Sequence, residues 1–156
     1  MPRVCEIRIK IGSGAIQNAI TAWGLYLMES DDTIVAPVRD YEIQEYPEQA
    51  APEIYPFTTL MPFDYKCTLL CLGDLDEVNA TVKAFYDSLF VITPGVDLRQ
   101  AQEITLFNDY KGVQVSGYAK SPEAKDYYPE LIAYEKGAFL FDFILYVANP
   151  NTLLPL

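Results

Sequence analysis

Three groups of carboxylates stand close enough in the sequence to act in pairs: Asp31 with Asp32, Asp40 with Glu42, and Asp74 with Asp76 and Glu77. Paired carboxylates can divide acid and base work between them or hold calcium. Each group also has a plainer use. Asp74 and Glu77 fall where an Asp-x-x-Glu capping box would start a helix, and the others read as solvated charges on turns and strand faces. The full Asp-x-[Asp/Asn]-x-[Asp/Asn]-Gly calcium pattern does not occur. The stretch "PFDYKCTLLCLGDLDEVNATVKAFYDSLF", Pro62 to Phe90, has the strand-turn-helix order that often carries an active site, yet it brings no nucleophile and base together. The chain has no histidine at all, which removes Ser-His and Cys-His nucleophile pairs and the commonest metal ligand. "IGSGAIQNA" lacks GxGxxG and no clear amphipathic helix follows it, so its glycines are read as a turn. The cysteines are Cys5, Cys67 and Cys71, with no CxxC. On one strand, Cys67 and Cys71 would share a face roughly 13 Å apart, too far for a disulfide or a common metal ion, so free buried thiols are expected. No catalytic, cofactor-binding or metal-ligating residue is assigned, and the chain is expected to be neither an enzyme nor a cofactor carrier.

The aromatic residues point elsewhere. Aromatics make up 13% of the chain, chiefly through twelve tyrosines. Trp23, Tyr41, Tyr46, Tyr55, Phe57, Tyr127 and Tyr128 lie in or beside loops and edges, where they could anchor a protein interface or stack on sugars. Trp23, Tyr46, Tyr55, Phe57, Tyr127 and Tyr128 are the interface candidates. A formal charge of -11, spread without an acidic block, repels phosphate backbones, so no direct nucleic-acid contact is expected. The longest apolar runs, such as "GAFLFDFILYVA", fall short of the ~20 residues of a membrane span, and no membrane association is expected. The N-terminus alternates charge with apolarity and shows no signal-peptide core, which predicts an intracellular or particle-assembled protein.

The elements that must position these residues follow from periodicity. At 156 residues one domain, 1–156, is expected, burying roughly 70% of the surface its unfolded chain exposes. Cys5, Ile7, Ile9 and Ile11 alternate with Glu6, Arg8 and Lys10 as a half-wet strand, which "GSG" ends. A strand is predicted near Thr21 to Met28, with "ESDD" as a turn, and another at Val38 to Glu45. Pro47, Pro52, Pro56 and Pro62 exclude a helix and predict an extended proline-rich loop over 46–62. The strand that follows carries Phe63, Tyr65, Cys67, Leu69 and Cys71 on one face, and Gly73 turns it into a helix over 75–90. "EITLFNDYKGVQVSGYA" reads as a hairpin around "NDYKG". A polar connection with an extended segment near Leu131 to Glu135 leads to the strand "AFLFDFILYV", apolar on both faces and therefore central. The tail 149–156 is expected to leave the domain. The fold class is mainly β (α+β): an antiparallel β-sandwich or split barrel of about six to eight strands with one packed α-helix.

This order of segments resembles the N-terminal domain of the distal tail proteins of long-tailed bacteriophages and prophages. The resemblance rests on Pro37 and Arg39 before an extended loop, the Gly73-Asp74 turn into Leu75 to Phe90, the hairpin around Asn108 to Gly112, and Asn149-Pro150 after the last strand. It departs from the family in its "YPEQAAPEIYP" loop, and no second, carbohydrate-binding-like domain is expected within 1–156. It implies a tail-tube-like fold and a structural protein forming a ring, a hexamer, between tail tube and baseplate. The implied partners are further copies of the chain and other tail proteins. The implied location is the bacterial cytoplasm during assembly and then the virion tail. A tail-tube or tail-completion protein shares the same order of segments. The arm Tyr46 to Pro62 is expected to reach a neighbour, so deleting Glu48 to Glu53 should leave a folded monomer that no longer assembles. Two other classes stay open. One is a small ligand- or carbohydrate-binding β-sandwich that uses Trp23 and surface tyrosines, and the other is a carboxylate hydrolase with two facing acids.

Overall fold

Alternation from Glu6 to Ile11 does produce a strand with one buried face. In a computed structural model, which describes residues 6–45, 47, 51–96, 98–131 and 136–156, Ile7 and Ile9 are fully buried on β1 (Arg8–Ile11) and just before it. The expected strand position of Cys5 lies outside the described residues. β1 turns at 12–14 into β2 (Ile16–Asn18). The predicted strand from Thr21 is instead a short helix, α1 (Ala19–Trp23), and β3 (Leu25–Ser30) begins only after it. Two residues impose that break. The Asn18 side chain accepts the Ile20 N–H at 2.9 Å as an N-cap, and Gly24 closes the helix at φ 69°, a left-handed conformation glycine takes without strain.

The chain next forms an arm. Ala36 is buried at its root, Val38 bridges Leu60, and β4 (Glu42–Gln44) pairs antiparallel with β5 (Glu53–Tyr55). A short two-stranded ribbon thus replaces the predicted strand Val38 to Glu45. Prolines at 37, 47, 52, 56 and 62 remove amide donors and keep both strands short. β6 (Phe63–Leu72) leads through Gly73 into α2 (Leu75–Ser88), which ends before Phe90 because β7 (Phe90–Ile92) pairs with β8 (Arg99–Ala101). Asp74 stands at the N-cap with an extended backbone, but its carboxylate makes no capping bond; exposed, it stays with water. Asp76 and Glu77 in the first turn still favour the helix electrostatically.

The hairpin is β9 (Ile104–Asn108) and β10 (Val113–Ala119), as expected. The polar connection is itself a strand, β11 (Glu123–Leu131), with Pro129 tolerated because the strand is an edge. The extended segment predicted toward Glu135 runs past its end, outside the described residues. β12 (Lys136–Val147) lies between β11 and β6, so the strand apolar on both faces is central as predicted. The tail does not leave the body. Asn149 caps a 3-10 turn (Pro150–Thr152), and β13 (Leu154–Pro155) pairs with β10. Thr152 fastens it by donating its hydroxyl to Ser116 O at 3.0 Å.

Among the described residues nine strands join in one antiparallel sheet, seven along a continuous path with β11 and β13 off it, and the sheet folds into two layers, β2-β1-β9-β10 with β13, and β11-β12-β6-β3. β10 links them by pairing with β12 at Tyr118↔Tyr146 and Ala119↔Leu145. Between the layers lies one core, in which Ile7, Ile9, Leu106 and Val115 of the first layer meet Leu69, Phe141 and Phe143 of the second. Val78 and Phe85 of α2, with Leu89 at its C-cap, close its side. The fold is a mainly β, α+β sandwich with one main helix.

Candidate functional site

The five described aromatic candidates fall on three separate elements. Trp23 ends α1 and turns inward, its ring edge-on to Phe85 with centroids 5.0 Å apart. Tyr55 and Phe57 lie on the arm, 58% and 71% exposed, with ring centroids 5.1 Å apart. Tyr127 and Tyr128 lie on β11 opposite Phe139 and Ala138, Tyr127 half-buried and Tyr128 exposed. Tyr46 lies outside the described residues. Beside Tyr55 and Phe57 a shallow hollow of about 390 Å³ is also lined by Arg39, Asp40 and Glu42.

The carboxylates do not face one another. Asp31 Oδ2 accepts the Lys66 N–H at 2.9 Å, Asp32 pairs with Lys111, and Asp40 and Glu42 stand exposed on the arm. No cluster of three or more Cys, Asp or Glu able to hold a metal exists among the described residues. Cys67 and Cys71 are free, and burial pushes both thiols up, away from the reactive thiolate. Among the described residues one carboxylate is buried. Asp142 on β12 accepts the Thr68 hydroxyl at 2.7 Å and lies 3.9 Å from Lys125 Nζ, which stands equally far from Glu29. It ties three strands together across the outer face of the second layer.

Two surfaces escaped the residue-by-residue reading. The second layer is open at both ends, because among the described residues β3 pairs only with β6 and β11 only with β12. All its neighbours run antiparallel, so β11 and β3 point in opposite directions. A β3 edge brought from a second copy would therefore meet β11 in the favoured antiparallel sense. A groove of about 380 Å³ also opens between α2 and the β11-β12 pair, lined by Val82, Lys83, Tyr86, Ala124, Phe139 and Phe141. The edges could have been suspected from Pro129 inside "EAKDYYPEL", whereas the groove has no local sequence signal.

The chain superposes on the crystal structure of the Dit protein (gp 19.1) of phage SPP1, with a TM-score of 0.55 over 92% of this chain and 50% of that one. The two share a fold. Identity is 12%, so the likeness to SPP1 Dit is one of architecture, reached through different side chains. SPP1 Dit is described as a paradigm of the hub adsorption apparatus in phages that infect Gram-positive bacteria. This chain spans half the length of SPP1 Dit. No protein-family model and no curated protein matches the sequence. Among the described residues no helix is long and apolar enough to cross a membrane.

Proposed function

We propose that this chain is a structural protein of a phage or prophage tail, closing into a ring, a hexamer, where the tail tube meets the baseplate. The observation that carries the reading is the layer β11-β12-β6-β3, open at both edges on a fold shared with a tail hub protein. An exposed strand edge invites pairing. Head-to-tail joining of β11 to the next subunit's β3 uses both edges of this layer in every copy, and a closed ring leaves neither free. In this role the chain is no enzyme and holds no cofactor, and its partners are its own copies and the tail proteins above and below. It passes from the bacterial cytoplasm into the virion tail.

The test is the solution mass by light scattering across a concentration series, with negative-stain imaging of the large species. A discrete six-subunit ring with a central hole is the expected result. A monomer at every concentration, together with monomer in the presence of tail-tube protein, would overturn the ring. A second reading draws on the Tyr55 and Phe57 rings beside Arg39 and Asp40, an arrangement suited to stacking and hydrogen-bonding a sugar. Glycan-array binding lost on Phe57→Ala would favour a carbohydrate-binding module over the ring.

A further inference from the structure

We infer that the groove between α2 and β11 is the seat of the arm of the neighbouring copy, an inference that rests on the ring reading. The arm needs a support its own subunit does not give. Ile43 and Ile54 pair across β4 and β5 and are 55% and 56% exposed, with Tyr55 and Phe57 beyond them. A two-stranded ribbon of this length is at best marginally stable alone in water. Its apolar side chains gain from a surface that removes them from solvent.

The groove supplies such a surface. Val82, Tyr86, Ala124, Phe139 and Phe141 give it apolar walls, and Lys83 stands among them with no ion pair among the described residues. The arm carries Asp40, Glu42, Glu45 and Glu53 against the single Arg39, and these carboxylates also make no ion pair among the described residues. An acidic, apolar ribbon thus meets an apolar cleft with a cation beside it. The cleft also borders β11, the edge at which the ring joins its neighbour, so the neighbouring copy is the first molecule within reach. Each subunit carries one arm and one cleft, as a head-to-tail ring requires.

A cysteine pair tests the contact directly in full-length chains carrying Cys5→Ser. Chains with Ile54→Cys are mixed with chains with Val82→Cys, oxidised, and run without reductant. A disulfide-linked pair that forms only when both variants are present is expected, and the double variant should give a ladder of linked subunits. Val82→Asp, without added cysteines, should raise the concentration at which rings dissociate at least tenfold, while its far-ultraviolet circular dichroism stays unchanged. Rings on light scattering with no Ile54-to-Val82 link would overturn the docking and leave the ring standing. A link confined to single chains of the double variant would overturn it in favour of an arm folded onto its own body. Monomer throughout, in the unmodified chain as well, would remove the ring and this docking together.

Discussion

Asn108 is the residue on which the turn of the hairpin hangs. Fully buried, it donates to Ser30 Oγ at 2.8 Å and to the Tyr65 hydroxyl at 3.1 Å, and accepts the Lys111 N–H at 3.1 Å. Asn108→Leu keeps the volume and strands those groups, so we expect a loss of about 2–3 kcal/mol, read as a lower urea midpoint at unchanged slope. Tyr86 is its opposite. Its hydroxyl is sealed from solvent without a hydrogen-bond partner among the described residues, so Tyr86→Phe should leave stability equal or raise it by up to about 1 kcal/mol. Burial pushes up the phenols of Tyr65 and Tyr86 and the thiols of Cys67 and Cys71. In each the folded state holds its proton to higher pH than the unfolded chain does. The stabilisation is therefore complete below the ordinary values of 9.0 for a thiol and 10.0 for a phenol and is lost as pH climbs through and beyond them. Unfolding midpoints should fall from about pH 9 upward, and Tyr86→Phe should flatten the part of that fall above pH 10. Sequence reasoning placed Cys67 and Cys71 on the buried face correctly, because alternation reports which side a strand residue takes. It gave Asp74 a capping bond that the exposed carboxylate does not make, because a spacing pattern cannot say whether protein or water holds an acid.

β10 is the element that makes one body of two layers, and Gly117 is where it changes partner. A Cβ built there would lie 2.3 Å from the Tyr146 carbonyl oxygen, and backbone cannot yield as a side-chain tip can. Gly117→Ala should cost about 2–3 kcal/mol. At about 2–4 °C per kcal/mol for a chain of this size, scanning calorimetry should show a drop of roughly 5–10 °C. The central strands, the hairpin and α2 were legible because their apolar residues keep a clear period: alternation from Phe63 to Thr68 before β6 turns wholly apolar, and Val78, Val82 and Phe85 at helical spacing in α2, continued by Leu89 at its C-cap. α1 was hidden because "AITAW" has β-branched and aromatic residues, and only its caps, Asn18 and Gly24, betray it. β11 was hidden because an edge strand with one wet side, rich in Glu, Lys and Asp, has the composition of a loop. The docked tail is illegible for a related reason. Two residues of β13 are too few for a pattern, and what holds them is a bond from Thr152 to Ser116, on another strand.

At the scale of the assembly, the proposed ring has dimensions. Six four-stranded layers make a band of about twenty-four strands, and at ~4.8 Å per strand its circumference is about 115 Å, or about 37 Å across between backbones. Tilt widens this figure and inward side chains narrow it, so negative stain should show a hole of roughly 25–35 Å. Amide exchange along β3 and β11 should slow on assembly, while β6 and β12, already paired on both sides, should change little. Each copy brings a charge of -11, so rings should form at lower protein concentration as salt rises from about 20 to 200 mM. The topology also sets a clock on the newborn chain. β1 is made well before the strand it must lie beside, β9, with Arg8 opposite Phe107. Until the ribosome has released that distant stretch, β1 and β2 form a lone hairpin with half its face uncovered, which water does not sustain. The residues of β1 are thus made well before the strand that seats them, and refolding should be slow for a chain of this length.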